Sequence, residues 1–508
     1  MESKASSDTQ CDEMHISDSS EVPKEKTTPN RNKNYDHMIN TDYRKLYWEK
    51  SLPNIYASLY NQIMTIIRVI ILSQYDPTLA SAYGFGFAIQ SYVQCIALML
   101  SRGINTTVSY YYGQKKNILA EKAFANGVYV CFIASGVNIA IFYPTLKYII
   151  PLLGTPASVE KDTILYCKIL LCCSSLPSLA AASNGMLRSQ GFPIFVLYSM
   201  VIGSTTSVIL AYLLCIVAKL GIVGYAISQV SNNFLIGVAN MFALQYAKRI
   251  DLRFRFYNFN KVIFEVFARG GSSLFNKLAG VAQIIIMNEG IVKLSTSTAE
   301  ATRLTGARAA VASMTAMIMT IGTTLALNAT LPLANFTRGA GMYTRFRQIN
   351  LYGLKATFFI VFALSALLLV LSPGLPYLFF KNELERKEME EIIQIFMSGR
   401  VFVGPCLSLI EVFQSCGYDT AALILGMNRN LFTISTIFLI IMFTSDNVWM
   451  FFGGFPIGDI VSTITSVTII YIFRNKLYLT KSAAETKERA VMDEKAKLAE
   501  LNLIVSNK

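Results

Sequence analysis

The sequence predicts an all-α polytopic membrane protein, with twelve transmembrane helices in two six-helix bundles related by a parallel pseudo-two-fold repeat. Three observations lead there. Of the 508 residues, 53% are hydrophobic and only 15% are charged, against about 25% charge in an ordinary soluble domain. Apolar windows of roughly 20 residues recur along the chain, the length that crosses a bilayer as a helix. Landmarks of the first half return in order in the second. Helices are required because lipid leaves no free backbone group satisfied, and no barrel periodicity is visible.

Composition sets further bounds. The net charge is +13, which basic cytoplasmic loops explain without nucleic acid. Eight of the nine cysteines lie in or beside apolar runs, so no disulfide framework is expected. The only histidines, His15 and His37, lie in the polar amino-terminal tail. That excludes a histidine metal centre at membrane depth. No nucleotide-binding loop is present. No cofactor is expected, and the chain does not read as an enzyme. Residues 1–48 read as a disordered cytoplasmic tail without a cleavable signal.

The predicted spans are roughly 51–72, 80–101, 118–144, 161–184, 193–217, 220–246, 262–292, 303–328, 350–371, 389–412, 418–443 and 448–473. Basic residues gather in the even-numbered gaps, among them Lys115, Lys116, Arg188, Lys248, Arg249, Arg345 and Arg347. Positive charge stays inside, so both termini are expected in the cytoplasm. The domains follow: an amino-terminal lobe at 49–247, a linker at 248–261, a carboxy-terminal lobe at 262–475 and a tail at 476–508. The linker region is basic with interleaved aromatics, which suits an anionic leaflet or an ordinary positive loop equally. The last residues read as a short surface helix or as disordered. Acceptor patterns at Asn105, Asn328 and Asn335 fall towards the cytoplasm and are expected to stay unmodified.

The repeat rests on three pairs. SLYNQIMTIIRVII (Ser58 to Ile71) returns as SLFNKLAGVAQIII (Ser273 to Ile286), setting Arg68 opposite Gln283. Gly113 to Gly127 matches Gly339 to Gly353, and Ser189-Gln190-Gly191 matches Ser415-Cys416-Gly417, both at an offset of 226 residues. The first pair is offset by 215, so about 11 residues are expected as an insertion, placed in a loop at Ser295 to Thr305.

Polar residues at membrane depth face a cavity or a partner. Arg68, Lys168 and Arg400 lie near the middle of their spans; each could line a cavity, reach the interface or pair. Asn276, Lys277, Gly280, Gln283 and Met287 fit a face of span seven, and Asn61 stands at the corresponding place in span one. Glu289 is the acidic candidate for carrying a proton, or it pairs with Lys293 four residues on. If the substrate is anionic, Arg68, Lys168 and Arg400 should line one cavity.

Four landmarks resemble the multidrug and toxic compound extrusion (MATE) family. They are Pro53 with the Asn61 region, Arg102 to Ser109 running to Tyr112-Gly113, Leu187 to Gly191, and Leu220 to Ala226. Pro332, Arg338-Gly339-Ala340 and Arg345 form the second-half counterpart. The resemblance implies two bundles about a central cavity, alternating access, and export of an amphipathic organic solute coupled to H⁺ or Na⁺; a monomer in a lipid bilayer is expected. The alternative within the same superfamily is a flippase or exporter of a lipid-linked or anionic substrate. The chain departs from the family pattern in span one, where relatives often hold an Asp and this chain has Arg68. It departs again in span five, where Ser207 and Ala211 stand at the usual polar pair.

Overall fold

The computed structural model describes residues 33–152, 157–378, 383–445 and 447–506, and every described element is a helix. The first half comprises α1 (Lys33–Asn40), α2 (Tyr43–Tyr75), α3 (Pro77–Gly113), α4 (Asn117–Leu152), α5 (Ala157–Cys172), α6 (Ser175–Ser189), α7 (Pro193–Tyr212) and α8 (Gly221–Tyr246). The second comprises α9 (Val262–Leu294), α10 (Thr298–Thr323), α11 (Leu331–Ala340), α12 (Tyr343–Val370), α13 (Glu383–Arg400), α14 (Val403–Cys416), α15 (Asp419–Met427), α16 (Thr436–Thr444) and α17 (Val448–Phe473), followed by α18 (Lys481–Ser506). Among the described residues, eight helical stretches are long and apolar enough to cross a membrane, or ten if each of two bent pairs is one span. The chain is thus an all-α multi-spanning membrane protein.

The bends and wide turns have local causes. α5 meets α6 at 48° and α13 meets α14 at 44°. Pro177 and Pro405 each lie two residues into the second helix. A proline there cannot donate back to the preceding helix and crowds its last carbonyls. Among the described residues are three π-helical segments: Leu213–Val217 ends one span, and Thr324–Thr330 and Asn428–Ser435 interrupt two others. In the last two, Thr330 and Ser435 hydroxyls donate to carbonyls five residues back, at 2.8 and 2.6 Å.

The two halves meet by backbone-to-backbone contact on the face that carries both terminal helices. α3 crosses α9 with Gly103 on the Val266 carbonyl and Gly270 on the Met99 carbonyl. α3 crosses α11 with Gly113 on the Phe336 carbonyl and Gly339 on the Tyr110 carbonyl. A Cβ at any of these four glycines would overlap backbone atoms, so only hydrogen fits.

The amino-terminal segment reinforces this closure. The Tyr35 hydroxyl donates to the Gly113 carbonyl at 3.0 Å, and Asn34 Nδ2 donates to the Gln190 carbonyl at 2.6 Å. From the second half, Arg345 donates to the carbonyls of Met38 (2.9 Å), Ile39 (2.5 Å) and Thr41. The expected disorder of residues 1–48 is therefore corrected for 33–48. Tyr35 and Met38, three apart on one helical face, are buried, and Asp42 caps α2 by accepting from the Arg44 N–H at 3.1 Å. Residues 1–32 lie outside the described residues.

The segment after α8 is docked as well. Leu252 exchanges bonds with Gln190, and Glu121 accepts from the Arg253 N–H (3.0 Å) and the Tyr257 hydroxyl (2.6 Å). Burial, and then the Glu121 carboxylate, push the Tyr257 phenol up to about 12. The loop expected at Ser295 to Thr305 is also corrected. α10 begins at Thr298, with Ser297 accepting from the Glu300 N–H and Glu300 accepting from the Thr296 N–H. This Ser-x-x-Glu capping arrangement turns most of the extra residues into helix.

Overpacking at a crossing costs about 1–3 kcal/mol, so Gly103→Val should lower the thermal unfolding midpoint in detergent by several degrees. Gly136→Val, where no neighbouring atom lies within 4 Å of the added Cβ, should leave it nearly unchanged. Equal effects at the two positions would remove the crossing as a constraint.

Candidate functional site

A cavity of about 250 Å³ lies between α3 of the first half and α9, α10, α13 and α17 of the second. Phe87 and Ser91 face it from α3. Lys277, Gln283 and Met287 face it from α9, Arg308, Thr315 and Met319 from α10, Phe396 and Arg400 from α13, and Phe455 from α17. Ser91 precedes Gly103 by twelve residues and Lys277 follows Gly270 by seven. At 1.5 Å per residue the cavity starts about 10–18 Å from the crossings, towards the face without the termini.

The electrostatics of its wall are one-sided. Lys277, Arg308 and Arg400 line it, and no carboxylate does among the described lining residues. Arg400 Nε lies 3.6 Å from Asp459 Oδ2, its guanidinium sits 4.4 Å from the Phe455 ring centroid, and Nη1 approaches the Met319 sulfur at 3.4 Å. Asp459 is fully buried on α17 and is shared. Arg429 donates to its Oδ1 through Nε at 2.9 Å and pairs with it through Nη2 at 2.7 Å. One carboxylate thus serves two guanidinium groups. Among the described residues, Arg308 reaches only the Met287 sulfur, at 3.8 Å, and its Nε is buried without a hydrogen-bond partner.

A polar relay leads into this cluster from α9. Arg429 Nη1 donates to Asn430 Oδ1 at 3.1 Å, and Asn430 Nδ2 donates to Asn276 Oδ1 at 3.0 Å. The wide turn at 428–435 puts both Arg429 and Asn430 inward, as π segments often do at functional positions.

The structure brings together four of the eight residues expected from sequence. Lys277, Gln283 and Arg400 face the cavity, and Asn276 stands behind it in the relay. The other four lie elsewhere. Asn61 accepts from the Ser204 hydroxyl at 2.9 Å, in a contact between α2 and α7. Arg68 is buried in the first half among tyrosines. Lys168 is half-buried, its Nζ 5.2 Å from the Tyr143 ring centroid. Glu289 is exposed near the end of α9 and is absent from the cavity wall as described. The expectation that Arg68, Lys168 and Arg400 line one cavity is therefore corrected; they occupy three separate settings. Arg308 and Arg429 were missed, although both lie inside predicted spans, at five and eleven residues from their starts. Glu411 on α14 is also wholly buried, and among the described residues neither of its carboxyl oxygens has a hydrogen-bond partner. Such a setting is costly for an ionised carboxylate.

Removing one partner of a buried pair costs about 3–5 kcal/mol. Asp459→Asn, which strands Arg400 and Arg429, should reduce unfolding stability on that scale, and adding Arg429→Gln should recover a large part of it. A single-variant loss within about 0.5 kcal/mol, the usual range of a surface change, would contradict the shared-carboxylate geometry.

Helices packed about a charged internal cavity define a polytopic membrane protein. The MatE family model matches residues 53–213. Among solved structures, MATE in complex with MaL6 superposes with a TM-score of 0.79 at 17% identity, covering 89% of this chain and 100% of that one. A MOP superfamily transporter from Pyrococcus furiosus, described as having a binding pocket of reversed polarity, gives 0.79 at 18% identity, covering 90% and 100%. An outward-facing multidrug resistance MATE family transporter of the MOP superfamily gives the same values. No curated protein matches the chain. The resemblance to the MATE family read from sequence is borne out by these matches, and the structures share its fold.

Proposed function

We propose that this chain is a secondary active transporter of the MATE type that moves an amphipathic solute carrying negative charge by alternating access. The observation that carries the reading is the cavity wall, with three cationic side chains and no acidic one among its described residues. In a site of low dielectric, like charges repel strongly, so an organic cation is disfavoured there and a carboxylate or phosphate is favoured. The anionic alternative is thus preferred to export of an organic cation. Its support comes from Lys277, Arg308 and Arg400, rather than from Arg68 and Lys168. The reversed pocket polarity described for the Pyrococcus furiosus protein is a parallel at the level of fold.

The architecture belonging to this reading is twelve spans. The eight long helices and two bent pairs supply ten, and α3 and α9, with 37 and 33 residues, supply the others. The lobes are 49–247 and 262–475, joined by 248–261, with tails at 1–48 and 476–508. The reciprocal contacts of Gly113 with Phe336 and Gly339 with Tyr110 support a two-fold relation, since Gly113 and Gly339, and likewise Tyr110 and Phe336, stand 226 residues apart. Positive loops favour cytoplasmic termini. The packed crossings would then close the cytoplasmic side and leave the cavity facing outwards. A monomer holds all these parts.

The driving gradient in this reading is H⁺ or Na⁺. Glu411, buried and without a partner, supports a protonatable site better than exposed Glu289. The test is transport in proteoliposomes under an imposed pH gradient, comparing an amphipathic anionic fluorophore with a cationic dye. The anion should be moved and the dye left behind. Arg308→Gln and Lys277→Gln should each cut anion transport about tenfold, for roughly 1.4 kcal/mol of lost attraction. Glu411→Gln should abolish dependence on the gradient, and Glu289→Gln should keep it. Export of the cation, unaffected by Arg308→Gln, would overturn the reading.

A further inference from the structure

Arg68 has a setting that the cavity does not use. It lies on α2 in the first half, 1% exposed, and is among the largest fully buried side chains. The titratable side chains near it are Tyr225, Tyr83 and Tyr166, with no carboxylate among those described. These tyrosines come from α8, α3 and α5 and pack together, with ring centroids 5.1 Å apart for Tyr83–Tyr225 and 5.9 Å for Tyr83–Tyr166. Arg68 Nη2 donates to Thr65 Oγ1 at 3.0 Å. Among the described residues its Nε and Nη1 are buried without a hydrogen-bond partner, and the Tyr225 hydroxyl, beside that of Tyr83, makes no bond of good geometry.

A guanidinium cannot shed its proton in a protein. Buried away from water, it needs a counter-charge and acceptors for its N–H groups. Among the described residues the chain supplies one hydroxyl oxygen and no negative charge. We propose that Arg68 and Tyr225 form a binding site for a small monovalent anion of the halide class, held by the free N–H groups of Arg68 and the Tyr225 O–H. Size and charge follow from the surroundings. Leu72, Tyr166 and Tyr225 are fully buried, and α3 approaches α5 so closely that a Cβ on Gly86 would lie 2.6 Å from the Tyr166 ring. A divalent oxyanion would exceed the single positive charge and lose more hydration on entry. The site is separate from the cavity of the second half and does not depend on what that cavity carries.

The test uses the full chain in detergent, at constant ionic strength, with chloride or bromide replacing gluconate. The wild type should show a saturable rise in unfolding midpoint with either halide. Arg68→Leu should lose the response, and Tyr225→Phe should shift half-saturation about tenfold higher. Crystals grown in bromide should place an anomalous peak against the Arg68 guanidinium. An absent response in the wild type, or an equal one in Arg68→Leu, overturns the proposal. If Arg68→Leu fails to fold, Tyr225→Phe decides, and an unchanged half-saturation there overturns it.

Discussion

The backbone crossings of α3 with α9 and α11 are the constraint on which the remaining geometry rests. Four glycines let carbonyl groups of one half sit where side chains of the other would be. Without a hydrophobic driving force between helices in lipid, such close approach is a main source of association. The contact is confined to one end of α3. Beyond it α3 faces the cavity at Ser91 and Phe87 while α9 faces it at Lys277, Gln283 and Met287. The tight end thereby creates the open one. α1 and Arg345 add polar ties at the same end, where backbone carbonyls of residues 38–41 would otherwise go unmatched.

Charge accounting then separates the two halves. In the second, Asp459 is buried only because Arg429 and Arg400 hold it, and Arg400 borders the cavity only because Asp459 and Phe455 hold it there. The shared carboxylate leaves a surplus of positive charge at the wall, to which Arg308 and Lys277 add. That surplus is the chemical character of the cavity. It arises from residues on four helices and the wide turn at 428–435, so no single segment announces it.

Much of the helical pattern was legible in the chain, because apolar length and proline position act locally. Hydropathy placed the runs, and the landmark glycines at 113 and 339 marked positions that the structure shows to be crossings. What was not legible depends on which helix faces which. Lys277 and Gln283 were singled out with Arg68 and Lys168, and only contacts between helices divide the first pair from the second. Arg308 and Arg429 carried the same local signal as Arg400, a basic residue within an apolar run, yet their importance comes from Asp459 and Met287 on other helices. The capping arrangement from Ser297 to Glu300 was readable and would have placed a helix where a loop was expected.

Two buried arginines make the physical contrast sharp. Arg400 and Arg68 are both nearly excluded from solvent, and neither can be neutralised by losing a proton. The first is matched within the chain by a carboxylate and an aromatic face. The second meets tyrosine rings and one threonine hydroxyl, with two nitrogens unmatched. Equal burial with unequal compensation means that the free energy of the first half is completed by something the polypeptide does not encode. A mobile anion fills that role at the least cost in space. On this argument the arginine in span one creates an exchangeable anion site. Negative charge then becomes the common ligand chemistry of both halves.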